Sequence, residues 1–319
     1  MTTVLVFCSQ VSAAIGKNKY KKPWEVLLEM WQRVNPDSYE DAMVRNGAIS
    51  SDDAVREVIL ETGIQLPSKT HTLQEVHQNL AHVEERIDQH VVRLNQTRKE
   101  KEQRIQVLRD NGADEALVKQ SEDDVRVIDL SLAKCEIARK ETTSQVKTQF
   151  GQHQEEKVVS EKSMGTIVSN NDKFYKLELG EVGELCNDGN EDEDEDAGQR
   201  PIKWGIGGRI DGFRKGVLVE IKNRVNRLFD PLPEYDIIQI QCYMQILNTD
   251  CAIVIQKLGD KTKETYVRRD RYQWENEILP GLTKFIQGLF KVLNNTDIQD
   301  ALLSTPDKQR TKYLNSLSG

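Results

Sequence analysis

Asp211-Gly212 is followed, after seven intervening residues, by Glu220-Ile221-Lys222. Side chains alternate across a strand, so Glu220 and Lys222 leave one face while Val219 and Ile221 leave the other. Arg214-Lys215-Gly216 reads as a turn that folds the two extended segments together and brings Asp211 beside Glu220. Two carboxylates and an ammonium then meet on one face. Mg²⁺, or Mn²⁺ in its place, takes oxygen ligands, and Mg²⁺ commonly uses one or two carboxylates plus waters and phosphate oxygens. The Ile221 carbonyl, between the two charged side chains, is a further candidate oxygen. Lys222 can orient an attacking water, or help to deprotonate it, and offset charge on a phosphate. This set suits hydrolysis of a phosphodiester. A surface hairpin with an ordinary Glu–Lys pair has the same spacing; what favours chemistry is the apolar company. Leu218, Val219 and Ile221 make this a buried strand, and buried charge needs a partner or a metal.

The elements that must position these residues lie in the last of three compositional zones. Trp204 to Phe213 is a short strand punctuated by glycine, and Val217 to Lys222 alternates as a strand does. Tyr235 to Leu247 has a helical pattern with Ile237, Ile240, Met244 and Leu247 on one face, Ala252 to Gln256 is a buried strand, and Leu279 to Leu293 is a closing helix. The middle zone is different. Leu73, Val76, Leu80, Val83, Ile87, His90 and Leu94 recur at alternating steps of three and four, the seam of a coiled coil. Arg109 to Asp114 has turn chemistry, and a second stripe follows at Leu117, Val125, Ile128, Leu132, Cys135 and Val146. Two such helices predict an antiparallel hairpin with arms of roughly 50 Å. The expected organisation is a core split into 1–69 and 158–303, an inserted hairpin at 70–157, an acidic loop at 187–200 and a frayed tail at 304–319. The fold class expected is α/β, a mixed sheet flanked by helices.

The chain has 319 residues and a formal net charge of −8, but Glu191 to Asp196 carry six of the negative charges and leave the remainder nearly neutral. Such an acidic run reads as a solvated insert, and a neutral remainder leaves room for a local basic groove that meets phosphate. No apolar stretch is long enough to span a membrane. The start of the chain has no secretory pattern, and the five cysteines (Cys8, Cys135, Cys186, Cys242, Cys251) contain no CxxC pair. A disulfide framework and a zinc finger are therefore unsupported, and a reducing intracellular compartment, cytoplasm or nucleus, is expected. The histidines at 71, 77, 82 and 90 lack a compact ligand spacing.

Taken in order, Asp211-Gly212, Glu220-Ile221-Lys222 and the helical Gln239-Ile240-Gln241 resemble the PD-(D/E)XK nuclease superfamily, in particular the branch of lambda exonuclease and the YqaJ-type viral recombinase nucleases. Cys8 to Tyr20 is similar to that branch's opening segment, in which a serine helps to bind phosphate. Gly47 to Gly63 is similar to a helix of that branch that ends in Thr-Gly. The likeness spans roughly residues 7–66 and 200–290, with the helical hairpin as an insertion. It implies a restriction-endonuclease-like sheet and Mg²⁺-dependent hydrolysis of DNA, double-stranded with a free end, in viral or mobile-element recombination or repair. It also implies roles: Asp211 and Glu220 as metal ligands, Lys222 as the residue that orients water, and Gln239 as the helix glutamine that supports the lysine and the substrate. One position departs. The family's upstream glutamate falls on Ser51, and a shift of one residue puts Asp52 in the role. On local pattern alone, Ser50 capping the helix with Asp53 explains the same residues. If no carboxylate substitutes, a catalytically weak module that binds nucleic acid or protein is the alternative function.

Candidate phosphate contacts are Ser9, Ser12, Lys21 and Gln241. Lys17, Lys19, Lys21 and Lys22 place four positive charges within six residues, suited to capture of a nucleic-acid backbone. Gln239 and Gln241 lie about 200° apart on a helix, so both cannot face one site equally, and Gln241 falls in the apolar stripe. Tyr20, Trp24 and Trp31 can stack on bases, but the seven-residue spacing of the tryptophans also fits core packing. The hairpin is a candidate arm for a protein partner or homo-oligomer.

Overall fold

The computed structural model describes residues 3–66, 72–160, 167–170, 172–183 and 201–317. The acidic run Glu191–Asp196, Cys186 and His71 lie outside the described residues. The chain divides into two compact units, one formed by Met1–Ala48 with Lys157–Gly319 and the other by Ile49–Glu156. The first boundary therefore falls at residue 48 rather than 69. Along the chain come strand β1 (Thr3–Phe7) and helices α1 (Cys8–Ala14), α2 (Pro23–Val34) and α3 (Pro36–Arg45). The second unit holds α4 (Ser51–Thr62), α5 (Leu73–Asp110) and all but the last four residues of α6 (Glu115–Ser160). The first unit resumes with β2 (Val168–Ser169), β3 (Phe174–Val182), β4 (Ile202–Arg209), β5 (Gly212–Arg214) and β6 (Val217–Asn223). It closes with α7 (Glu234–Leu247), β7 (Cys251–Leu258), β8 (Lys261–Arg268), α8 (Arg271–Gln273), a π-helical turn at Trp274–Ile278, α9 (Leu279–Leu293), α10 (Thr296–Ser304) and α11 (Asp307–Leu317).

In the second unit, the turn chemistry at 109–114 separates α5 from α6 as expected, and the two helices pack together. Ion pairs fix the direction: Arg109 meets Glu122 at 2.5 Å, Arg98 meets Asp129 at 2.7 Å and Arg139 meets Asp88 at 2.5 Å, numbers that run in opposite senses along the two arms. Val83 and Ile87 from the first predicted stripe and Cys135 from the second are buried in one cluster with Ala138. Leu117, by contrast, is half exposed, because it sits beside the hairpin turn where no third layer covers it. Val58 of α4 and Ile64 join the same cluster, which is why this helix belongs with the hairpin. Ser50 caps α4, its hydroxyl accepting the Asp53 N–H at 3.0 Å, and Gly63 ends it in the left-handed conformation, φ 65°.

The first unit is mixed α/β. Its strands form a three-stranded sheet, β1-β4-β3, and a five-stranded sheet, β2-β5-β6-β7-β8. β1 runs parallel to β4, and β6 parallel to β7; the other pairs are antiparallel. Parallel neighbours need a crossover, and α7 supplies it between β6 and β7. The main core gathers Leu218, Ala252 and Val254 from the sheet with Ile238, Ile240 and Met244 of α7 and Leu282, Phe285, Ile286 and Leu289 of α9. The tail is not frayed: α11 buries Leu314 to 2% exposure in that core, and Arg310 donates to the carbonyls of Leu302, Leu303 and Thr305. Among the described residues no helix is long and apolar enough to cross a membrane.

Candidate active site

The pivot is Ile210-Asp211, where the chain leaves β4 in one sheet and enters β5 in the other. The step suits glycine-rich sequence. A Cβ on Gly212 would lie 2.5 Å from the Val168 carbonyl oxygen, and one on Gly208 would lie 2.9 Å from the Tyr243 ring. Between β5 and β6 the turn uses Lys215 at φ 52° and Gly216 at φ 81°, both left-handed, as a two-residue hairpin demands. The register then pairs Gly212 with Val219, so Asp211 comes opposite Glu220.

The alternation along β6 holds. Val219 and Ile221 enter a small apolar cluster with Ile167, Ile253 and Ile255, while Leu218 points into the main core. Glu220 and Lys222 are thereby directed to the face that α7 covers. Lys222 Nζ donates to Glu220 Oε1 at 2.8 Å and to Gln239 Oε1 at 2.8 Å, and Gln239 Nε2 donates to Glu220 Oε1 at 2.9 Å. Acid, amine and amide form a closed triangle. Asp211 joins from the strand edge, where its Oδ2 accepts the Ile221 N–H at 2.5 Å. A strand residue directs its N–H and C=O to the same side, so the Ile221 carbonyl faces that edge too.

Burial makes this arrangement consequential. Glu220 is 4% exposed, and its Oε2 is buried without a hydrogen-bond partner. Such an oxygen carries a desolvation cost that a cation would relieve. Burial disfavours the Lys222 ammonium, the largest single effect, but the Glu220, Asp236 and Asp211 carboxylates together outweigh it and hold its pKa above the ordinary lysine value. Lys222 is therefore a cation at neutral pH. The Tyr243 phenol, 3.5 Å from Gln239 Nε2, is pushed well up by burial and then by the Glu220 charge, so it stays protonated. Burial likewise raises the Cys8 thiol, with hydrogen bonding to Cys242 adding to it. Behind the cluster, Arg224 Nη2 bonds Asp236 Oδ2 at 2.6 Å, and buried Gln256 accepts from Arg224 Nε and from the Phe229 N–H. Asp236, Arg224 and Tyr243 are absent from the sequence-based candidates. A carboxylate in a first helical turn reads as an ordinary complement to the helix dipole.

Gln241 is 3% exposed and both ends of its amide are engaged, Nε2 with the Arg268 carbonyl at 2.9 Å and Oε1 with the Asp270 N–H at 2.9 Å. It pins α7 to the end of β8, as its place in the apolar stripe suggests, and does not face the cluster. Ser9 is exposed on α1, whereas Ser12 is buried. Lys21 is paired with Glu29 at 2.5 Å, and Lys17 with Glu234 at 3.0 Å, so half of the lysine cluster is already neutralised. Asp52 is exposed in the first turn of α4, in the second unit.

Among the described residues no three His, Cys, Asp or Glu side chains gather as a metal-ligand group. What converges is two carboxylates and a backbone carbonyl, and that donor set fits Mg²⁺, which keeps several waters. No protein-family model matches the chain, and no curated protein matches it. Among solved structures, one described as "Crystal structure of SSO0001" is 17% identical with a TM-score of 0.31, over 47% of this chain and 63% of that one. The chain thus spans less than two thirds of that structure, and a likeness of this degree assigns neither family nor activity.

Proposed function

We propose that the chain is a metal-dependent DNA nuclease of the PD-(D/E)XK type, hydrolysing phosphodiester bonds and acting on DNA ends. The observation that carries this reading is the closed Glu220–Lys222–Gln239 triangle beside Asp211, with one buried carboxylate oxygen left unpartnered. Asp211, Glu220 and the Ile221 carbonyl would hold Mg²⁺ or Mn²⁺. A divalent cation bound there supplies Lewis-acid polarisation of a phosphoryl oxygen and a more acidic bound water. The chain's own groups do the rest. Lys222 stays charged and compensates the negative charge that builds on phosphorus-bound oxygens. Gln239 fixes the ammonium in place through its carbonyl while its NH₂ holds Glu220. The Ile221 N–H orients the Asp211 carboxylate.

The test is incubation with Mg²⁺ and end-labelled linear or closed circular DNA. Loss of the linear substrate with the circle intact is expected, abolished by EDTA and by Lys222→Ala. Undiminished cleavage by Lys222→Ala would reject the assignment. A second reading, a catalytically weak binding module, is favoured by Ser51 at the position where the family likeness expects a glutamate. Calorimetry separates the two: tight DNA binding with no Mg²⁺ or Mn²⁺ uptake supports the module. In either case the α5–α6 hairpin, with Val92, Val107 and Val127 more than half exposed, is the surface for a protein partner or a second copy.

A further inference from the structure

A row of side chains runs outward from the cluster along α7. Tyr243, Gln239 and Tyr235 recur every four residues and so share a helix face. Tyr235, at the outer end, lies close enough to Asp236, Arg224 and Lys222 for their charges to act on its phenol, although burial has the largest effect and pushes it up. Against Tyr235 sits Tyr20, ring centroids 5.8 Å apart and planes at 72°. Tyr20 is 62% exposed, yet it is held from several sides. Asn18 Oδ1 accepts the Tyr20 N–H at 2.9 Å and the Lys21 N–H at 3.3 Å, and Lys17 ties the same segment to Glu234 and to Glu277 at 3.7 Å. The Lys19 ammonium lies 4.8 Å from the Tyr20 ring centroid. Beyond the Arg224–Asp236 bridge, the Arg224 and Arg227 guanidiniums lie 4.8 Å and 4.9 Å from the Phe229 ring.

Core packing does not account for an exposed ring fixed in this way. Aromatic side chains beside cations suit single-stranded nucleic acid, in which each base offers a free π-face and the backbone meets positive charge. Bases inside a duplex are already stacked on both faces. We propose that Tyr20, held against Tyr235, is the platform on which an unpaired nucleobase stacks beside the Asp211–Glu220–Lys222 cluster, which makes single-stranded DNA ends the preferred substrate. This assignment rests on the nuclease reading for the position of the scissile phosphate.

Binding is measured on the full chain in EDTA, so that no cleavage is needed, by fluorescence polarisation of a short labelled single strand, a blunt duplex, and an abasic strand of equal length. The wild-type chain binds the single strand more tightly than the blunt duplex. Tyr20→Ala weakens single-strand binding by about 5- to 150-fold, the range expected for one lost base stack. Tyr20→Phe retains binding, and Tyr272→Ala, which removes a 74% exposed tyrosine on α8, leaves it unchanged. On the abasic strand, wild type and Tyr20→Ala bind alike. Equal loss on both strands, no loss from Tyr20→Ala, or preference for the blunt duplex overturns the assignment. Cleavage in Mg²⁺ is scored separately. An inactive protein that keeps this binding pattern loses the nuclease reading and keeps the platform, whereas an active one with unaltered Tyr20→Ala binding loses the platform alone.

Discussion

Substituting Glu220 and Lys222 singly and together tests the geometry of the cluster without reference to activity. The Glu220 and Lys222 side chains are 5% and 19% exposed and meet at 2.8 Å. Removing one member of a buried ion pair leaves the other charge uncompensated, at about 3–5 kcal/mol. Glu220→Gln should fall near the lower limit, about 3 kcal/mol, because Lys222 keeps Gln239 Oε1 at 2.8 Å and is not fully enclosed. Lys222→Met should cost more, about 4 kcal/mol, since the carboxylate it strands is almost completely buried. The double variant strands neither charge and should lose far less than the sum. A coupling of about 2 kcal/mol or more is expected. Urea unfolding of the four proteins, with slopes that stay equal, gives the quantity directly. A coupling below about 0.5 kcal/mol would mean that the two groups do not form the pair, and the proposed catalytic arrangement would go with it.

Three further outcomes are expected. Mg²⁺ should raise the unfolding midpoint of the wild-type chain, by about 2.7 kcal/mol of stability at one hundred times its dissociation constant, and should leave Glu220→Gln unmoved; equal shifts would show the ion binding elsewhere. Arg214 grips both Glu264 oxygens, at 2.7 Å and 2.6 Å, and these hydrogen bonds hold the Glu264 pKa below its ordinary value. A depressed carboxylate stabilises the fold above the ordinary glutamate pKa and loses that contribution as pH falls through the folded value. Arg214→Met should therefore be about 1 kcal/mol less stable at neutral pH, with the gap closing below about pH 4, and a gap that persists in acid would contradict the pairing. Gly205→Ala would place a Cβ 2.2 Å from the Leu177 carbonyl oxygen on β3, backbone that cannot step aside. Destabilisation of about 3 kcal/mol by thermal unfolding is expected, and a neutral result would count against the β3–β4 register.

The cluster was legible because local rules converge on it: period-two alternation places Glu220 and Lys222 on one face, and Lys215-Gly216 turns the chain so that Asp211 comes opposite. Gln239 depended on the family likeness. Asp236 and Arg224 were not legible, since a carboxylate in a first helical turn and an arginine after a strand are ordinary residues until folding pairs them at 2.6 Å. The helical hairpin followed from its seams, but the assignment of α4 to it did not, because Val58 meets Val83 and Cys135 only in three dimensions. β3 was available in principle: Tyr175, Leu177 and Leu179 alternate with Lys176 and Glu178. The helical tail was not legible because its apolar residues, Tyr313, Leu314 and Leu317, are bunched at the end of an otherwise polar segment, too short a pattern to read as a helix.

The pairing of Thr3 with Lys203 and of Phe7 with Gly207 joins strands two hundred residues apart in the chain. At about 5–20 residues added per second on a ribosome, roughly 10–40 s separate the emergence of β1 from that of its partner. During that interval the complete α5–α6 segment has been synthesised and can coil on its own short-range contacts, whereas the apolar β1 waits with both edges open. Nascent chains of this protein should therefore engage chaperones through this strand, and release them only when β4 arrives.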